Sequence, residues 1–202
     1  NPLYIKVWYV VRKGHTAEEF LPIVKSIIDQ SHKLGFKVIV HAMELHTAKL
    51  AIKAGADVLA HSVFDVEVDK EFIDIMKQNK VMYQPTFMVK ERYNDVFNRQ
   101  LKFTLAEHTY SNPEMVKSLF EVNKVTDTLA AKRLNNTKND SLTKLSISVG
   151  LKNLKTLYNA GINIVCGTDD GNIGTPHGPA IFREFELMKQ SCLNEMDILK
   201  TA

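Results

Sequence analysis

The chain has 202 residues, of which 45% are hydrophobic and 24% are charged, which is typical of a globular domain and excludes a disordered or fibrous protein. The net charge is +3, and the 26 basic residues are interspersed with 23 acidic ones, so we expect no nucleic-acid partner. No run approaches the roughly 20 apolar residues of a membrane-spanning helix, so we expect no membrane partner.

The first part of the chain predicts a strand and then a helix. The run Leu3–Val11 is rich in β-branched and aromatic residues, which is typical of a strand buried on both faces, with Lys6 as an exception. A capping box at Thr16–Glu19 and apolar residues at helical spacing predict a helix that ends before Gly35. Pro22 is expected to kink this helix or to delay its start.

The following segments predict three strands and two helices in alternation. The strands are expected at 36–41, 58–61 and 81–89, and the helices at 45–54 and about 68–79. Pro85 should lie at the end of its strand, because proline cannot donate to a central ladder.

The second half of the chain predicts helices around one last strand. The helical pattern from about 90 to 160 has Asn112 and Pro113 as N-cap and first helical residue, and we interpret it as an elaboration within a single domain, 1–202. The remaining expected elements are a polar loop at 135–141, a helix at about 142–158, a strand at 162–166, a loop at 167–178, a helix at 179–189 and a helix fragment from 195. Alternating strands and helices favour a parallel sheet of right-handed βαβ units.

Two histidines occupy equivalent positions in a repeated segment. Each of Gly35-Phe-Lys-Val-Ile-Val-His41 and Gly55-Ala-Asp-Val-Leu-Ala-His61 places a histidine six residues after a glycine. One βαβ step accounts for the spacing, so we expect both histidines at the same height on adjacent parallel strands. Such strands lie about 4.8 Å apart, close enough for two imidazoles to share one zinc ion at the carboxyl ends of the strands.

The order of several short segments resembles the amidohydrolase superfamily, in particular its imidazolonepropionase-like and Xaa-Pro-dipeptidase-like members. The segments that carry the resemblance are 4–7, 35–42, 54–62, 84–87, 160–169 and 177–178. Each segment alone is weak, but the ordered set is specific and covers nearly the whole chain. The resemblance implies an α/β fold that is a partial (β/α)8 TIM barrel, about strands 4 to 8, with a helical insertion before the last strand.

The resemblance also implies a metal site and its residues. Lys6 matches the fourth-strand lysine that is carboxylated in binuclear members, and His41 and His61 match the metal ligands of the fifth and sixth strands. Asp169 matches the eighth-strand aspartate that binds metal and acts as general base, and His177 is a candidate substrate-binding residue. The implied cofactor is zinc, as one or two divalent ions.

One family feature has no match in this sequence. The family begins with a His-x-His pair after the first barrel strand, whereas the first strand of this chain matches strand four. We therefore expect a partial barrel whose metal site is completed by a missing N-terminal segment or by a second chain in a homo-oligomer.

The expected function is hydrolysis of a C–N bond in a small-molecule substrate, such as an amide, a cyclic amide or a dipeptide, by a metal-activated water. One alternative is a non-catalytic, incomplete barrel fragment that binds a partner chain through its exposed first and last strands. Another is a metal-free barrel lyase that uses Lys6 as a Schiff-base nucleophile.

Structural roles stay open for single residues. Asp169 could be a turn aspartate, Lys6 a salt-bridged lysine and His177 a solvent-exposed residue. Tyr83 and Thr86 could line the pocket or serve only in packing.

Overall fold

The computed structural model describes residues 3–124 and 140–202. Contacts divide the chain into two compact units. The sheet unit comprises residues 1–85 and 149–165 with Thr201, and the helical unit comprises 86–148 and 166–200 with Ala202. The single domain expected from the sequence stays a prediction.

The sheet unit is built on a four-stranded parallel sheet. Its strands, in spatial order, are β1 (Tyr4–Trp8), β2 (Lys37–His41), β3 (Val58–Ala60) and β4 (Met82–Gln84). The predicted strand at 162–166 forms one parallel bridge to β4, between Ile164 and Tyr83, and Val165 N donates to Tyr83 O at 2.9 Å. The mixed α/β architecture with a parallel sheet is thereby confirmed.

Three helices follow the first three strands and form the core of this unit with the sheet. They are α1 (Ala17–Lys33), α2 (Leu45–Ala54) and α3 (Lys70–Asn79). The side chains with no exposed surface include Ile28, Val38, Val40, Ile52, Leu59, Phe72 and Met76. The burial of this many aliphatic and aromatic groups, at about 1.5–3 kcal/mol each, is the main favourable term for the unit.

The start of α1 differs from its prediction. Pro22 lies inside the helix, which nevertheless begins at Ala17, so the proline does not delay the start. Thr16 is the N-cap residue but makes no side-chain capping bond, and the carboxylate of Glu19 instead lies 2.7 Å from Nδ1 of His15.

β1 is the edge strand, and one of its faces is exposed. Tyr4, Lys6 and Trp8 are exposed at alternate positions, while Val7 between them is buried. The expectation that β1 is buried on both faces is therefore wrong for the described residues, because its alternate side chains Tyr4, Lys6 and Trp8 lie on a face that the described elements leave open. Lys6 lies on the exposed face.

The helical unit contains the remaining helices. They are α4 (Phe87–Phe97), α5 (Leu105–Tyr110), α6 (Pro113–Leu119), a 3₁₀ helix (Phe120–Lys124), α7 (Asp140–Asn159, which continues into the sheet unit), α8 (Ala180–Lys189) and α9 (Glu195–Leu199). Asn112 caps α6 as predicted, since its Oδ1 accepts from Glu114 N at 2.9 Å. The predicted polar loop lies outside the described residues over 135–139, and its last two residues begin α7.

The strand predicted over 81–89 is shorter than expected. β4 ends at Gln84, and a helix begins at Phe87. The carboxylate of Glu184 on α8 accepts from the backbone N–H groups of Phe87 at 3.0 Å and Met88 at 2.8 Å, and so satisfies donors that a helix start leaves open. No described helix is long and apolar enough to span a bilayer.

Asp57, in the turn before β3, links α1 to β2. Its carboxylate accepts from Lys37 Nζ at 2.7 Å and Val38 N at 2.8 Å, and it lies 2.8 Å from His32 Nε2. Burial raises the pKa of Asp57, but these three partners outweigh burial and hold the pKa below its ordinary value. A lowered folded-state pKa means that the stabilisation is present above the unfolded pKa and is lost as pH falls through the folded one.

We expect Asp57→Asn to lower the free energy of unfolding at neutral pH by about 1–3 kcal/mol, because hydrogen bonds to a charged group are lost. The loss should vanish in acid, where the carboxyl of the wild type is protonated. Urea unfolding at neutral and acidic pH measures both effects. Asp74→Asn, which breaks an exposed pair with Lys70, is the matched control, and equal losses in the two variants would contradict the prediction.

Candidate metal site

His41 is the last residue of β2 and is half-buried. Its main chain is held by the parallel ladder, in which Trp8 is its partner on β1, and its carbonyl accepts from Tyr9 N at 3.1 Å. The histidine therefore lies at the carboxyl end of a strand that has neighbours on both sides, which is where sites form on parallel sheets.

His61 follows β3 directly and is only 5% exposed. Its N–H donates to the carbonyl of Gln84 at 2.9 Å, and its backbone has φ = 74°, in the left-handed region. A non-glycine residue in this region costs about 1–2 kcal/mol, and such strain persists only where the surrounding structure enforces it. Strain of this kind is concentrated at functional sites.

The rings of His41 and His61 lie together. Their centroids are 4.4 Å apart and the ring planes are inclined by 69°. Nδ1 of His41 and Nε2 of His61 are both buried atoms. Because a buried imidazole nitrogen is stabilised by a hydrogen bond or by a metal ion, two such nitrogens in adjacent rings are suited to hold a cation.

The two histidines are not at equal height, contrary to the expectation from the repeat. The register pairs His41 with Ala60, so His61 lies one residue further along. In a regular strand this offset would direct His61 to the opposite face of the sheet, because side chains alternate. The left-handed backbone at His61 breaks that alternation at the position where its ring meets that of His41.

Lys6 and Trp8 lie on the exposed face of β1. Lys6 pairs in register with Ile39, two residues before the pair of Trp8 and His41. The indole ring of Trp8 is 74% exposed, and its centroid lies 5.6 Å from that of His41 at an interplanar angle of 30°. Three rings, those of Trp8, His41 and His61, therefore form a row at the carboxyl edge of the sheet.

The helical unit contains the other two predicted site residues. Asp169 has a left-handed backbone, with φ = 54°, and its carbonyl and Oδ2 each accept from Asn172 Nδ2 at 2.9 Å. The amide of Asn172 is held in turn, because Tyr93 Oη donates to its Oδ1 at 3.0 Å. The carboxylate of Asp169 is thus oriented within a turn. This geometry agrees with the turn role, and the role of general base stays a prediction.

His177 is exposed and lies against the same loop. A Cβ atom on Gly171 would lie 3.0 Å from Cε1 of His177, so the ring covers this glycine, whose φ is +88°. Asp170 Oδ2 accepts from Gly178 N at 2.9 Å, which closes the loop. A solvent-exposed His177 matches the structural alternative, and its substrate-binding role stays a prediction.

The candidate ligands are divided between the two units. Lys6, His41 and His61 belong to the sheet unit, whereas Asp169 and His177 belong to the helical unit. Within residues 3–124 and 140–202, no three His, Cys, Asp or Glu side chains are grouped to hold a metal. The histidine pair therefore supplies two donors, which is half of the four that a zinc site normally has.

Tyr83 and Thr86 are buried packing residues. Tyr83 has no exposed surface, its Oη accepts from Val63 N at 2.8 Å, and burial raises its pKa to about 12. Thr86 is 3% exposed and is the N-cap residue of α4. Neither residue has the exposure that a pocket wall requires.

Glu184 is a buried acid that the sequence analysis did not identify. It has no exposed surface, and burial raises its pKa to about 8, against the opposing effect of the two backbone donors of α4. Burial and then the charge of Glu184 raise the pKa of the Cys166 thiol to about 12, which makes this free cysteine a poor nucleophile. In the sequence, Glu184 is one acidic residue in an amphipathic helix and gives no distinguishing signal.

Comparisons with known proteins identify solved structures with a similar fold. No family model and no curated protein matches the chain. A putative prolidase from Bifidobacterium longum is 21% identical, with a TM-score of 0.66, over 99% of this chain and 42% of that one. A Xaa-Pro dipeptidase with bound methionine is 21% identical, with a TM-score of 0.56, over 90% of this chain and 36% of that one.

A bottromycin amidohydrolase is similar at the same level. It is 17% identical, with a TM-score of 0.59, over 99% of this chain and 44% of that one. The chain spans less than half the length of each of these structures. It has the fold of part of these hydrolases, and the resemblance to amidohydrolases is confirmed at the level of the fold.

Proposed function

We propose that this chain is part of a metal-dependent hydrolase that cleaves a C–N bond, and that His41 and His61 are metal ligands. In this proposal β1 to β4 are barrel strands 4 to 7, and the segment 162–166 is strand 8. The single observation that carries the proposal is the contact of two imidazole rings, one half-buried and one buried, at the carboxyl ends of adjacent parallel strands. The names of the similar structures support it.

The residues of the sheet unit fit a zinc ion as half of its ligand set. Imidazole nitrogens are common zinc ligands, and the enforced backbone of His61 fits a residue kept for coordination rather than for packing. The proposed companions, Lys6 as a carboxylated lysine and Asp169, come from the family resemblance.

The proposed chemistry is hydrolysis of an amide, a cyclic amide or a dipeptide-like bond. A zinc ion in such a site supplies Lewis acidity, which polarises a carbonyl group and acidifies water. Asp169 would accept a proton from the attacking water and pass it to the leaving nitrogen. The bond from Asn172 Nδ2 to Oδ2 fixes the orientation of this carboxylate within its own loop.

We expect the chain to bind about one zinc ion, and His41→Ala and His61→Ala each to weaken binding by at least about tenfold, because each removes one donor. Isothermal titration calorimetry of the metal-stripped chain with zinc chloride measures the stoichiometry and the affinity of zinc binding. His46→Ala is the matched control, since this exposed histidine on α2 contacts Glu18 outside the site. Its zinc affinity should equal that of the wild type.

Two results would contradict the proposal. One is the absence of zinc binding by the wild type, and the other is equal weakening in the control and the site variants. Among the described residues, β1 lies at the edge of the sheet. This supports a second candidate function, in which the chain is a fragment that pairs with a strand of a partner. Absence of zinc together with a concentration-dependent oligomer in sedimentation experiments would favour that alternative.

A further inference from the structure

Trp8 occupies an unusual environment for its residue type. It is the only tryptophan of the chain, and 74% of its side chain is exposed. Tryptophan is highly buried on average, because its large ring gains most from removal from water. The described residues leave most of this indole uncovered beside the candidate site.

The position of Trp8 is set by the ladder and not by a mobile loop. It is the last residue of β1 and the register partner of His41, and the two rings are 5.6 Å apart. His41 continues the row to His61 at 4.4 Å. A ligand atom held by the two histidines thus has the indole of Trp8 as the next ring along the same edge.

The segments next to Trp8 carry exposed apolar side chains among charged ones, which include Arg12 and Glu44. Val10 and Met43 lie in the segments that follow β1 and β2, and they are 50% and 39% exposed. Exposed apolar side chains in adjacent loops of one sheet edge are typical of a surface that contacts an apolar group.

We propose that Trp8 is a substrate-contacting residue that selects amides carrying an aromatic ring next to the scissile C–N bond. This inference rests on the proposed function and adds the substrate class and the residue that recognises it. The ring of the substrate stacks on the exposed indole while its carbonyl group lies towards the histidine pair. An offset or edge-to-face ring pair contributes about 0.5–1.5 kcal/mol beyond area burial, which is roughly a two- to tenfold preference.

The test compares two probes that differ only in the ring, N-benzoylglycine and N-acetylglycine. Both are titrated into the full chain, with and without zinc, by calorimetry and by the fluorescence of Trp8, which has no other tryptophan to mask it. We expect N-benzoylglycine to bind roughly two- to tenfold more tightly and to change the emission of Trp8. Trp8→Ala should abolish the preference, and Trp8→Phe should restore most of it.

Tyr110→Ala is the matched control, because this aromatic residue is also exposed, at 69%, but belongs to the helical unit. The Tyr110→Ala variant should prefer N-benzoylglycine over N-acetylglycine to the same degree as the wild type. Equal affinities for the two probes, no binding of either probe, or a preference that survives Trp8→Ala would overturn the inference. Zinc binding by Trp8→Ala tests the proposed function separately, since it needs the histidines and not the indole.

Discussion

Glu107→Gln should lower the free energy of unfolding of the helical unit by about 3–5 kcal/mol, because it removes the closer carboxylate partner of a buried guanidinium, whose second carboxylate, that of Asp95, lies at 3.5 Å. Glu107 has no exposed surface, Arg92 is 2% exposed, and both carboxylate oxygens lie 2.7 Å from Arg92 Nη2. The guanidinium is fixed further by a bond from Nη1 to Lys102 O at 2.6 Å and by the ring of Phe103 at 5.3 Å. It therefore cannot move to water without disrupting these contacts.

Two variants separate the charge effect from other causes. Glu114→Gln breaks an exposed pair with Lys117 and should change the free energy of unfolding by less than about 1 kcal/mol. The double variant Arg92→Met, Glu107→Leu removes both charges and should recover part of the loss, because the desolvation cost disappears with them while Asp95 and Thr104 N each lose a partner. Chemical unfolding followed by circular dichroism measures all three, and a loss below 1 kcal/mol for Glu107→Gln would refute the expectation.

The second large effect is a loss of stability as pH rises, caused by Glu184. Its pKa is raised by burial from 4.5 to about 8 in the folded state. A raised folded-state pKa means that the stabilisation is fully present below the unfolded value and is lost as pH increases through the folded one. Stability is therefore lost between about pH 4.5 and about pH 8. The rise in the pKa of Glu184 sets an upper limit of about 5 kcal/mol on the loss in the free energy of unfolding.

Glu184→Gln imitates the protonated carboxyl and should flatten this part of the pH profile. The variant should be more stable than the wild type in alkali, because its side chain carries no charge, and slightly less stable in acid, because its one amide oxygen can accept from only one of the two N–H groups at the start of α4. Urea unfolding at roughly pH 5, 7 and 9 measures how steeply the free energy of unfolding changes with pH. Glu186→Gln, on the exposed side of the same helix, should keep the slope of the wild type, and a steep profile in Glu184→Gln would exclude this carboxyl as its origin.

Local patterns predicted the elements whose ends are set by nearby residues. α2 has the predicted bounds, Leu45–Ala54, because Gly55 ends it in a left-handed conformation with φ = 108°. The strand predicted over 81–89 was wrong in its second half, where α4 begins at Phe87. The carboxylate that accepts from the first turn of α4 belongs to Glu184, 96 positions away from Met88. No window around residue 87 contains that information.

The candidate site was predictable to the extent that the repeat determines it. The equal spacing from Gly35 and Gly55 predicted that the rings of His41 and His61 meet, and they do. Their offset in height was not predictable, since strand register depends on pairing between backbones. The apolar run around Trp8 indicated a buried ring, whereas the structure leaves it exposed beside His41.

The left-handed backbone at His61 restricts which amino acids an evolving lineage can sample at this position. Asparagine and aspartate tolerate this conformation, glycine adopts it freely, and valine, isoleucine and threonine do not. A lineage that loses the imidazole is therefore expected to pass to one of the first three residues. Two of these keep an oxygen donor, so in the proposed metal site the change would alter the metal preference before it removes the site.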